Sequence, residues 1–110
     1  MRTIFCRVLK VPKDGDELRL FYTGSRGGMT EAAYKVRDKA PVGGNSEPMT
    51  VEEVAQGLAN AIGGSWTGEL FSCRVRGDEI VITCGHDDIT FHPMHNGTEA
   101  AGREYLQVEH

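Results

Sequence analysis

The chain has 110 residues, 39% of them apolar and 14 of them glycine, and a formal charge of −4. The length predicts one domain whose core needs no metal or disulfide staple, while the modest apolar share and the glycines predict a thin core with long loops, or a subunit steadied by its neighbours. The acidic balance argues against a general nucleic-acid binder, which needs a basic face to displace counterions, and no apolar run approaches the ~20 residues of a membrane span.

The opening stretch MRTIFCRVLK is too short and too polar for a signal peptide. Its setting is expected to be soluble and cytoplasmic, or an assembly built in the cytoplasm. Three cysteines without a CxxC predict reduced thiols. Residues 2–11 alternate like a strand, with Ile4, Cys6 and Val8 on one face and Phe5 and Leu9 on the other. Apolar groups on both faces predict cover on both sides. Pro12-Lys13-Asp14-Gly15-Asp16 is dense in turn formers, and a second strand follows over 17–23 with Leu18, Leu20 and Tyr22 on one face. These two strands are expected to form an antiparallel hairpin.

Gly24-Ser25-Arg26-Gly27-Gly28 reads as a loop, and residues 39–48, with two prolines and two glycines, read as a longer one. Between them, residues 30–38 carry both signals. Thr30, Glu31 and two alanines suit a helix start, whereas Tyr34, Val36 and the short length suit a strand at 32–38, the preferred reading.

A helix is predicted from Thr50. Thr50 and Glu53 fit the S/T-x-x-E capping box, and Met49 and Val54 fit a hydrophobic staple. Val51, Val54, Ala55, Leu58 and Ile62 share a face, with Glu52, Gln56 and Asn60 away from it, and Gly63-Gly64 reads as the stop. Trp66 is expected to cover the end of the helix. A hairpin follows. Phe71, Cys73 and Val75 alternate with Ser72, Arg74 and Arg76, Gly77-Asp78 suits a type II′ turn, and Ile80, Ile82 and Cys84 return on the shared face. Cys73 then stands opposite Ile82 and Phe71 opposite Cys84, so the two cysteines are diagonal neighbours roughly 7–8 Å apart. That is too far for an unstrained disulfide, and both read as core filling. Gly85-His86-Asp87 turns the chain, Ile89 and Phe91 mark a strand at 88–92, Asn96-Gly97 is a turn, and a last strand is expected at 103–108. The predicted fold is α+β: a mainly antiparallel sheet of six or seven strands with one amphipathic helix, about 50–62, packed on it.

Candidate chemistry is sparse. Cys84, His86, His92 and His95 are the one metal-like cluster, but C-x-H-x5-H-x2-H is not a ligand spacing with a physical rationale, so no metal is expected. Asp87 and Asp88, adjacent on a strand, point to opposite faces and read as a solvated turn rather than an acid/base pair. GxSxG is absent, and the glycines at 24–28 lack the lysine and hydroxyl of a phosphate-binding loop. Cys6, flanked by Arg2 and Arg7, reads as a buried strand cysteine rather than an activated thiolate. Arg76-Gly77-Asp78 is explained by its turn. No catalytic residue and no cofactor is expected.

Over residues 30–84 the chain resembles tailed-bacteriophage virion proteins, especially tail-tube-like and tail-associated subunits. The resemblance is carried by Thr50, Val54, Ala55, Leu58, Ala59, Ala61 and Ile62 of the helix, and by Val75, Gly77, Ile80, Ile82 and Thr83 of the hairpin. The 39–48 loop is longer than the family's usual link, and residues 85–110 have no counterpart. The resemblance implies a non-enzymatic structural protein of the virion, assembled in the host cytoplasm. Its implied partners are other copies of itself, in rings that often complete one another's sheets, and other virion proteins, without membrane or sequence-specific nucleic-acid binding. Arg26, Met29 and Val42 of the two loops, with Arg74 and Arg76 on the outer face of the hairpin, are the candidate interface residues. The alternative is a small acidic inhibitor or adaptor that binds one host protein, and a third reading is a small metalloenzyme.

Overall fold

The computed structural model describes residues 2–23, 30–37, 49–65, 71–84 and 89–110. Among these the chain runs β1 (Arg2–Val8), β2 (Glu17–Thr23), β3 (Thr30–Lys35), α1 (Val51–Ser65), β4 (Phe71–Arg76), β5 (Glu79–Cys84), β6 (Thr90–His95), α2 (Glu99–Tyr105) and β7 (Leu106–Glu109). The fold is α+β, and every strand pairing is antiparallel. The strands form two sheets, β4-β5-β1-β7 and β3-β2-β6. One apolar cluster joins both sheets and α1. Ile4, Cys6, Val8, Ile80, Ile82 and Leu106 of the larger sheet meet Leu18, Leu20, Ala32 and Phe91 of the smaller one and Val54, Leu58 and Ile62 of α1.

The expected hairpin of the first two strands does not form. Asp16 N–H donates to Lys13 C=O at 3.0 Å, Lys13 N–H to the Asp16 carboxylate at 3.2 Å, and Gly15, at φ +88°, donates to Val36 C=O at 2.8 Å. This turn starts β2 against β3 rather than folding it back on β1. Both sides of β1 are then taken by β5 and β7. Nor do the described residues cover both faces of β1: Ile4, Cys6 and Val8 are buried, but Phe5 is half-buried and Leu9 is 46% exposed.

Residues 30–35 are strand, two residues earlier than expected, because β3 takes its register from β2, with Leu20 opposite Ala32 and Leu18 opposite Tyr34. Both bonds of the capping box are made: Glu53 N–H to Thr50 Oγ1 at 3.2 Å and Thr50 N–H to Glu53 Oε1 at 3.1 Å. Gly63 and Gly64 do not stop the helix, which continues through Ser65. Helical glycine costs about 1 kcal/mol relative to alanine, a cost the buried face upstream can carry.

The 71–84 hairpin has the expected register, Cys73 opposite Ile82 and Phe71 opposite Cys84. Gly77 sits at φ +65° while Asp78 keeps a negative φ, as a type II′ turn requires. Asn96 and Gly97, at φ +49° and +82°, form the second two-residue turn. The strand expected at 88–92 spans 90–95, and the one expected at 103–108 is shorter, because residues 99–105 form α2. That helix packs against β6 through Gly102, where a Cβ would lie 2.4 Å from the Pro93 carbonyl oxygen. Arg26, Met29, Val42, Trp66, His86, Asp87 and Asp88 lie outside the described residues.

Candidate interaction site: an open sheet and the cleft beside β7

The larger sheet has two unlike faces. Its inner face carries the core. Its outer face presents Thr3, Phe5 and Arg7 on β1, Ser72, Arg74 and Arg76 on β4, Glu79, Val81 and Thr83 on β5, and Gln107 and Glu109 on β7. Among the described residues no element covers that face, and Ser72, Arg74, Arg76, Gln107 and Glu109 are exposed. Val81 is only 4% exposed, because Phe5 and Arg74 flank it in register and their long side chains shield it. Arg7 pairs with Asp78 and Glu79, and Arg76 with Glu79. Arg74 and Glu109 make no ion pair with any described residue.

Hydrogen-bond parity fixes which main-chain groups reach the sheet edges. Leu9 N–H donates to Tyr105 C=O at 2.7 Å, and Val8 N–H to Asp78 C=O at 2.9 Å. In an antiparallel ladder alternate residues bond to alternate sides. Hence residues 105, 107 and 109 bond β1, leaving Leu106 and Val108 pointing outward, and residues 72, 74 and 76 bond β5, leaving Cys73 and Val75 outward. Leu106 N–H closes α2 on Gly102 C=O. The Val108, Cys73 and Val75 groups face open edges, where no described strand takes them.

The edge of β6 is different. Asn96 N–H donates to Glu17 C=O at 2.9 Å, so Phe91, Pro93 and His95 point away from β2. Phe91 N–H donates to the His110 ring at 2.9 Å, Pro93 has no N–H, and His95 N–H donates to Thr98 C=O at 3.1 Å. This edge offers no donor to an incoming strand, which is how proteins blunt an edge.

Between the blunted β6 edge and the open β7 edge lies a half-open cleft of about 610 Å³. Leu9, Phe91, Pro93, Leu106 and Val108 form its apolar walls, and His92, Glu99, Arg103 and His110 supply its polar groups. Glu99 holds both His92 Nδ1, at 3.2 Å, and Arg103, at 3.3 Å. Thr23 Oγ1 lies 3.4 Å from His92 Nε2, and the Phe21 ring stacks on the imidazole at 4.8 Å. Hydroxyl, imidazole and carboxylate thus follow in the order of a nucleophilic triad. The hydroxyl contact is longer than a well-formed hydrogen bond, and Glu99 shares its charge with Arg103. The arrangement fixes the ring on the sheet.

His95 is held apart from His92, on the opposite face of β6. Its Nε2–H donates to the Asp16 carboxylate at 2.9 Å, and its ring stacks on Tyr105 at 4.2 Å. That bond, foremost, with further donors from Asn96 and the Lys13 backbone, holds the Asp16 carboxyl below its ordinary range. Cys84 is buried, and no group of metal-ligating side chains assembles among the described residues. Burial pushes the Cys6 thiol up to about 12, with Cys73 adding to it, and the Cys73 thiol up to about 11, so neither is a ready thiolate.

Of the expected interface residues, the structure places Arg74 and Arg76 together on the outer face of edge strand β4. Sequence reasoning missed the cleft, because Glu99 and Arg103, two of its four polar groups, come from α2, which was not expected. The usable signal was Glu99 and Arg103 at i,i+4 behind Thr98. No family model matches the chain, and comparison with curated proteins and with solved structures finds no match either.

Proposed function

We propose that this protein is a non-enzymatic structural subunit that works by self-association, and that its setting is the virion of a tailed bacteriophage. The observation that carries self-association is the larger sheet: among the described residues its outer face is uncovered and ends in an open edge strand at each side, β4 and β7. Unpaired edges are templates for another chain, and monomeric proteins blunt them as β6 is blunted. The virion setting is supported by the likeness of residues 30–84, carried by the helix and the hairpin, to tail-tube-like subunits. Other virion proteins are the further partners in this reading.

The test is mass in solution. Size-exclusion chromatography with light scattering is expected to give species at multiples of the 12.1 kDa chain, growing with concentration. A single 12.1 kDa species at every concentration overturns the proposal.

A further inference from the structure

We infer that the partner at the β7 edge is the β4 edge of a second copy, in one register: Val75 opposite Val108, Arg74 opposite Glu109, and Arg76 opposite Gln107. The inference rests on the self-association reading and adds the surface, the direction and the register.

Direction comes first. In the order β4-β5-β1-β7 every neighbour is antiparallel, so β4 and β7 run in opposite senses. Setting β7 of one copy beside β4 of the next therefore continues the alternation, and both copies keep their open face on the same side.

Main-chain parity comes next. A new ladder needs outward-pointing residues opposite one another. The outward groups are those of Cys73 and Val75 on β4 and of Val108 on β7, as derived from the Leu9–Tyr105 and Val8–Asp78 bonds. Pairing Val75 with Val108 satisfies this rule. Both valines are half-buried and touch the core, so the pairing finishes covering them. The incoming strand lies in the cleft along β7, whose apolar walls include Leu9, Phe91 and Leu106. The β6 side cannot accept it, since Phe91, Pro93 and His95 offer no N–H.

Charge then selects the register and rejects the symmetric alternatives. With Val75 on Val108, Arg74 and Glu109 form a non-hydrogen-bonded pair, where side chains stand closest, at a Cα separation of about 4.5 Å. These are the two outer-face charges left without an ion pair among the described residues. Pairing β4 with β4 sets Arg74 against Arg74 or Arg76 when Val75 lies opposite Cys73 or Val75, and against uncharged Ser72 when Cys73 lies opposite Cys73, so no register gives Arg74 an acid. Pairing β7 with β7 leaves the basic edge uncovered. A head-to-tail contact of this kind repeats, and closes into a ring or extends as a filament.

The experiment compares Arg74→Glu, Glu109→Arg and the double variant carrying both, with Lys35→Glu on β3 as a control of equal charge change, by sedimentation velocity of the full chain. Each single variant is expected to weaken association by about tenfold, the double variant to restore it, and Lys35→Glu to leave it unchanged. Val75→Cys with Val108→Cys is expected to give a ladder of disulfide-linked species on mild oxidation, beyond what either single cysteine variant gives. Association that persists in both single charge variants, with no ladder, overturns the register and leaves self-association standing. A monomeric wild-type chain overturns both.

Discussion

Gly102 shows how one atom positions an element. Alanine there gains about 1 kcal/mol of helix propensity. Its Cβ, however, would sit 2.4 Å from the Pro93 carbonyl oxygen and 2.6 Å from Met94 Cα, and backbone cannot swing aside as a side-chain tip can. Overpacking of this kind costs about 1–3 kcal/mol, so Gly102→Ala is expected to lower the urea midpoint despite the propensity gain. Asp16 gives a pH prediction. Its carboxyl is depressed in the folded chain, chiefly by the His95 bond, from an ordinary value of about 3.9 when unfolded. The stability it contributes is present above that unfolded value and is lost as pH falls through the lower folded one. Urea midpoints between pH 6 and pH 3 are therefore expected to fall more steeply for the wild type than for Asp16→Asn. An equal slope in the two proteins contradicts a role for that bond.

At the scale of elements, what was legible was local. Thr50 and Glu53 announce the start of α1 because each side chain answers a backbone donor three residues away, and the structure makes both bonds. Thr50→Ala is expected to cost about 0.5–2 kcal/mol in chemical denaturation, as loss of an N-cap does. The 71–84 hairpin was legible in full, since a two-residue turn led by Gly77 leaves a single register. What was not legible was long-range. Nothing in Pro12 to Asp16 distinguishes a hairpin loop from a crossing between sheets. The outcome depends on β5 and β7, some seventy and a hundred residues further on, which take both sides of β1. The helix at 99–105 was missed for another reason. With Gly102 in its middle, and two alanines and the terminal Tyr105 as its apolar groups, it carries no stripe of large residues, and it packs by close approach instead.

For the whole molecule, the pattern of cover is what supports the proposed self-association. The totals predicted a thin core or a subunit steadied by neighbours, and the structure joins both sheets and α1 in one cluster, while no described element covers the outer face of the four-stranded sheet. Of the candidate site, Arg74 and Arg76 could be placed on an outer face from alternation alone. Their position at an edge, and the matching acid at Glu109, required the strand order. The cleft required both the strand order and α2. No helix among the described residues is long and apolar enough to cross a membrane, which agrees with the absence of a spanning run in the sequence. Copies of this chain are proposed to associate through the larger sheet. Sedimentation velocity of the wild-type protein, from micromolar to near-millimolar concentration, tests this most directly. The 12.1 kDa boundary is expected to give way to multiples of that mass as concentration rises. A 12.1 kDa boundary that persists unchanged across the series would contradict it.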